Sequence, residues 1–139
     1  MGENNNNLKR MLKIYKPNGY DWMNFALTRR NPYTFHHIVS RRYGGEDNIN
    51  NGAILTRRAH DLLHILECIC PTAYSKLTEL FNKINSSKES PNDEIIAEID
   101  SILYDVFHGD EVFLMSMDLS EYSNIYYKNK KIKVKKQRK

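Results

Sequence analysis

The sequence predicts an α+β, mainly helical domain in which two short antiparallel strands and one helix pack against further helices on their C-terminal side. Three observations carry that prediction. A run of aromatic and β-branched residues, Tyr33 to Val39, gives way to Gly44-Gly45 and then to a second short apolar run, Ala53 to Leu55. Thr56 stands before a stretch with apolar residues at helical spacing. Beyond Pro71, apolar residues recur at three- and four-residue intervals over most of residues 72 to 107, the period of amphipathic helices and not of strands.

A chain of 139 residues suits one domain able to bury its own core without staples. That domain is placed at 1–127, with the strand-strand-helix unit at 33–67, a helical extension at 72–127 and a basic, disordered tail at 128–139. An apolar fraction of 40% and a charged fraction of 27% are those of a water-soluble globular protein. No apolar run approaches the roughly 20 residues needed to span a bilayer, and GENNNNLKR has no apolar leader segment. The reading is a cytoplasmic protein. Cys68 and Cys70 are too close for an easy disulfide and wrongly spaced for a zinc half-site. They read as reduced, half-buried at a helix end.

In chain order, the polar run Asn4 to Asn7 cannot bury apolar surface and is expected to be disordered. Leu8, Met11, Leu12 and Tyr15 share one face of a short helix over 8–15, ended by the turn residues Pro17, Asn18 and Gly19. Residues 20–28 read as a helical turn or irregular chain, with Trp22 and Phe25 as core. Tyr33 to Val39 is the first strand, 44–52 a loop, and Ala53 to Leu55 the returning strand. Thr56 caps a helix over 57–67 that Pro71 prevents from continuing. A helix over 72–85 presents Tyr74, Leu77, Leu80, Phe81 and Ile84, and SSKESP is a linker. Asn92 caps a third helix to about Phe107, with Ile95, Ile96, Ile99, Ile102, Leu103 and Val106 as its stripe and Gly109 as its stop. Residues 111–127 read either as a last helix or as a short helix followed by extended chain.

Charge is segregated along the chain. Residues 8–64 hold ten Lys/Arg against four Asp/Glu, residues 88–121 one Lys against ten acids, and residues 128–139 eight Lys/Arg and no acid. Such blocks act on partners more than on fold. The basic blocks fit a polyphosphate through counterion release; the acidic segment 88–121 fits that less well, and either faces away or binds a basic protein partner.

Four of the five histidines lie within residues 34–66. His36 and His37 are adjacent on the first strand, where successive side chains point to opposite faces. His60 and His64 are one helical turn apart, about 6 Å along the axis, and can face one ion. Hydrolysis of a phosphodiester needs water deprotonated near neutral pH, phosphoryl charge neutralised and a leaving oxygen stabilised. Histidine suits the first task and a divalent cation the other two. Arg57 and Arg58 add positive charge beside the helix N-terminal dipole, where a phosphate is favoured.

The order His36-His37, Gly44-Gly45, Asn51, His60 resembles the ββα-metal motif of the HNH endonuclease family. The ending His60-x-x-x-His64 resembles the colicin-type DNase branch. The resemblance covers about residues 33–66. It implies His37 as general base, His36 and His60 as ligands of one divalent ion (Mg²⁺, Mn²⁺, Ni²⁺ or Zn²⁺), and His64 as third ligand or phosphate contact. It further implies that Asn51 holds the loop bearing the base and helps to orient His37. Arg41, Arg42, Arg57 and Arg58 are the candidate nucleic-acid contacts, and double-stranded DNA is the expected substrate. The C-x-x-C pairs of many family members are missing, so packing of Trp22, Phe25, Leu62, Leu63 and Leu66 against the C-terminal helices must hold the motif.

Two other readings use the same residues. One is an HNH-fold protein of a phage or mobile element repurposed as an inhibitor or adaptor, binding a nucleic-acid-processing protein through its acidic segment. The other is a noncatalytic DNA-binding module.

Overall fold

A computed structural model describes residues 2–108. The chain is mixed α+β and mainly helical: α1 (Gly2–Tyr15), β1 (Tyr33–His37), β2 (Gly52–Thr56), α2 (Arg57–Ile69), α3 (Pro71–Ser87) and α4 (Asp93–His108), with 3₁₀ turns at Arg41–Tyr43 and Ile49–Asn51. No helix among the described residues is long and apolar enough to cross a membrane. The expectations for Gly109, for residues 111–127, for the acidic residues beyond 108 and for the tail at 128–139 lie outside the described residues.

α1 departs most from expectation. It starts at Gly2, so the asparagine run is helical and not disordered. Met11 and Tyr15 anchor the helix in the core. Asn7 is buried and gives its side-chain amide to the Asp47 carbonyl at 3.2 Å. Propensity alone disfavours asparagine in a helix, but a buried amide with a partner removes the penalty that makes such runs fray.

Residues 20–31 form an irregular cross-connection closed by two isolated bridges, Tyr20 to Ala26 and Thr28 to Asn31. Its organiser is Asp21, fully enclosed. One carboxylate oxygen accepts from the Met23 and Phe25 amides at 2.8 and 2.9 Å, and the other from the Thr56 amide and hydroxyl, both at 2.7 Å. Burial pushes this carboxyl above its ordinary range and the four donors pull it down.

β1 and β2 pair antiparallel, with His36 opposite Ala53 and His37 opposite Gly52. Small residues across the strand leave room for both imidazoles. β1 stops at His37, before the expected Val39, because the ladder gives way to the Asn51 side chain. The Asn51 Oδ1 accepts from the Val39 amide at 2.9 Å and its Nδ2 donates to the Val39 carbonyl at 2.9 Å. A side chain at Gly45 would run into that same Val39 carbonyl, so the glycine is required by close approach of two backbones.

Thr56 caps α2 as expected, its Oγ1 accepting from the Ala59 amide while its proton goes to Asp21. α2 runs on to Ile69, and Pro71 both stops it and occupies the first turn of α3, where its missing N–H costs nothing. Cys70 is half-buried at that junction, but Cys68 is exposed on the last turn of α2; both thiols are free. α3 extends to Ser87, two residues into the expected linker. Asn92 caps α4 through the Ile95 amide at 2.9 Å. Trp22, Phe25, Leu62, Leu63 and Leu66 are all buried in one cluster with Leu77, Phe81, Ile84 and Leu103.

Candidate metal centre

Three of the four candidate histidines converge. His36 from β1 and His60 and His64 from α2 each bring a ring nitrogen to within 4.8 Å of the others. His60 and His64 stack at 4.8 Å between centroids, one turn apart, and His36 meets His60 edge-on at 5.0 Å. His36 is buried, His60 partly so, and His64 open to solvent. This is a graded pocket, closed at the strand and open at the second turn of α2.

The hydrogen bonds fix the aim of His60. Thr34, on the same face of β1 as His36, spends its one hydroxyl proton on the Leu55 carbonyl at 2.8 Å. Towards the His60 Nδ1, 2.9 Å away, it must therefore accept. His60 thus carries its proton on Nδ1 and presents the Nε2 lone pair to the pocket, 3.3 Å from the His36 Nδ1. Ligand nitrogens about 2.0–2.1 Å from a tetrahedral ion stand roughly 3.3–3.4 Å apart, so this spacing fits two ligands of one cation. Thr34 does for His60 what outer-shell acceptors do for metal-bound imidazoles generally.

Burial, then the neighbouring histidines, pulls His36 down to about 3; burial, then His64, pulls His60 down to about 4. Both are neutral at pH 7, the form that binds metals. The His36 Nε2 is buried without a hydrogen-bond partner, a cost of about 1–3 kcal/mol. With Nδ1 as the ligand, that Nε2 would carry the proton without an acceptor, so the fit rests on the His36–His60 spacing and the neutral rings. The donor set therefore fits a divalent cation.

His37 lies outside the cluster, as the strand alternation predicts. Its Nε2 stands 2.8 Å from the Asp47 Oδ1, and its ring packs edge-on against Phe35. It nonetheless lines the same cleft of about 250 Å³ as His36, His60 and His64, together with Arg41, Arg42, Glu67 and Tyr74. Asn51 is behind this wall, bonded to Val39 and, through Nδ2, to the Glu46 carbonyl at 2.8 Å. It holds the loop that follows His37, and its own hydrogen bonds go to that loop and not to the ring.

The arginines separate into two groups. Arg41 and Arg42 are exposed at the cleft, with the Arg42 guanidinium over the Tyr43 ring at 5.0 Å. Arg57 lines an adjoining depression with Thr34, His60, Asp61 and His64, whereas Arg58 lines neither. The expectation of a phosphate seat at the α2 N-terminus needs correction. The Arg57 amide donates to the Pro32 carbonyl at 2.9 Å, the Arg58 amide to the Asn31 Oδ1 at 2.8 Å, and the Ala59 amide to Thr56. The first three N–H groups of the helix are already satisfied within the chain, leaving only side chains to meet an anion there.

Sequence reasoning missed Thr34, Asp47, Asp21 and Asn85. Thr34 was legible, since it lies two residues before His36 and so on the same strand face. Asp47 offered only an acid in a glycine-rich loop. Asp21 and Asn85 carried no local signal; Asn85, from α3, bridges the Ile49 and Gly52 carbonyls at 2.7 and 2.8 Å. No family model, no curated protein and no solved structure matches the chain.

Proposed function

We propose that this protein is a metal-dependent endonuclease of the HNH type, hydrolysing phosphodiester bonds of DNA. The observation that carries the reading is the division of four histidines in one cleft: three ring nitrogens gathered within 4.8 Å and a fourth imidazole in the same wall but outside the cluster. His36, His60 and His64 hold the cation. When bound, it supplies positive charge for the phosphoryl oxygens and the leaving oxygen. His37 takes a proton from water, the hydroxyl oxygen bonds to phosphorus, the bond from phosphorus to the leaving oxygen breaks, and that oxygen is protonated from solvent. Arg41, Arg42 and Arg57 hold neighbouring phosphates, and the cluster of exposed cations makes binding steeply salt-dependent.

The test is cleavage of supercoiled plasmid by the purified protein with Mg²⁺, Mn²⁺, Ni²⁺ or Zn²⁺, run beside chelator and beside His37→Ala. Cleavage should require the metal and fall by about 10²–10⁴ in His37→Ala. Activity indifferent to chelator, or full activity in that variant, would refute the assignment.

A further inference from the structure

We propose that Asp47, itself held by Asn7, is a positioning residue that fixes the orientation and the protonated nitrogen of His37, so that α1 belongs to the machinery of the site. This deepens the nuclease reading and rests on it for the role of His37, but the pairing stands on geometry of its own.

A carboxylate can only accept, so at 2.8 Å from the Asp47 Oδ1 the His37 Nε2 carries the hydrogen. In the neutral ring that leaves the lone pair on Nδ1. His37 itself lines the cleft. The pairing therefore leaves Nδ1 as the nitrogen able to take a proton from water. The imidazolium formed in that step has a carboxylate already in contact, the arrangement by which an aspartate orients and stabilises a histidine base.

Asp47 does not depend on its own loop alone. From one side the Asn7 amide donates to the Asp47 carbonyl at 3.2 Å and to its Oδ1 at 3.4 Å. From the other, Asn51 holds the preceding carbonyl of Glu46 at 2.8 Å. Asn7 is only 7% exposed and lies forty residues away in sequence. A buried amide on the packed face of a helix is costly unless it meets a partner; an aliphatic residue would pack there without that requirement. The same oxygen accepts from Asn7 and from His37, so the helix, the loop and the base are joined through one carboxylate.

The experiment compares wild type, Asp47→Asn and Asn7→Ala in three measurements: plasmid cleavage with Mn²⁺, Mn²⁺ binding by calorimetry, and long-range ¹H–¹⁵N spectra that report which nitrogen of each neutral imidazole is protonated. In wild type His37 should be protonated on Nε2. Asp47→Asn should lower kcat about 10- to 100-fold with KM and Mn²⁺ affinity little changed, and should move part of the His37 population to the Nδ1-protonated form. Asn7→Ala should lower kcat about fivefold, the rate equivalent of one ordinary hydrogen bond. An Nδ1-protonated His37 in wild type, unchanged spectra in Asp47→Asn, or a rate loss that tracks lost Mn²⁺ binding would each overturn the proposal. If wild type cleaves nothing, the nuclease reading fails, while the spectra still decide whether Asp47 sets the ring.

Discussion

In α3 and α4 the buried positions are Ala73, Leu77, Leu80, Phe81, Ile84, Ile99, Leu103, Val106 and Phe107, with Asn85 the one polar residue among them. From β1 to α2, and in the cross-connection leading to them, buried aliphatic residues share the interior with His36, Thr56, Asp21, Asn24 and Asn31. The helical half follows its periodic pattern, with Tyr74, Ile95, Ile96 and Ile102 at the edges of the stripes only partly buried. The site half breaks the pattern repeatedly, and most of the polar groups it buries are closed by a partner distant in sequence. The two halves meet where Phe81 of α3 packs edge-on against His36 at 6.1 Å between centroids and where Asn85 holds the start of β2. One half thus supplies apolar cover, and the other places the reactive groups against it.

The sharpest way to break this comparison is to remove one ring from each side. His37→Ala should cost about 10²–10⁴ in cleavage rate with little change in melting temperature. Phe81→Ala should cost about 3–5 kcal/mol of stability, read by denaturant unfolding, and lose activity only as the fold loosens. Equal effects of both changes on both measurements would erase the distinction.

Asp21→Ala tests whether the polar interior of the site half is structural. It leaves the Met23, Phe25 and Thr56 amides without acceptors and frees the cap of α2, and should cost about 3–5 kcal/mol. A loss below about 1 kcal/mol would show that the hub is dispensable.

A divalent ion at the histidine cluster should raise stability by about 2.7 kcal/mol at a hundredfold excess over Kd. His60→Ala should abolish the thermal shift. Arg58→Ala, which touches neither lining, should leave it intact.

The metal-free protein should weaken in acid, and the sign follows from the shifts. His36 and His60 are held at about 3 and about 4, below the unfolded value of about 6.5. Between those values the unfolded chain binds more protons, so stability is fully present above about pH 6.5 and is lost as pH falls towards 4 and then 3. Melting curves across that window should show the loss in wild type and a smaller one in His36→Phe.

The smallest effect is expected on the acidic face. Asp93, Glu94 and Glu98 are exposed on α4. Their joint replacement by amides should cost no more than about 1 kcal/mol, most of it from the two acids at the helix N-terminus, and should leave cleavage unchanged. Lost activity with intact folding would tie α4 directly to the site.

Local pattern was enough for the strand-strand-helix order, the Thr56 and Asn92 caps, the break at Pro71 and the apolar stripes of α3 and α4, because each depends on neighbours within a turn or a pleat. It was also enough to separate His36 from His37, since adjacent strand residues face opposite ways, and to put His60 with His64. What depended on contacts between distant residues was decided by the tertiary structure. Asn7 is helical and buried because Asp47, forty positions on, accepts its amide. At the start of α2 Pro32 and Asn31 reach the backbone amides first, so only side chains are left to meet an anion there. The protonated nitrogen of His60 depends on a threonine hydroxyl that is itself spent on the neighbouring strand. A sequence specifies which groups can donate and accept; only the folded chain specifies which of them meet.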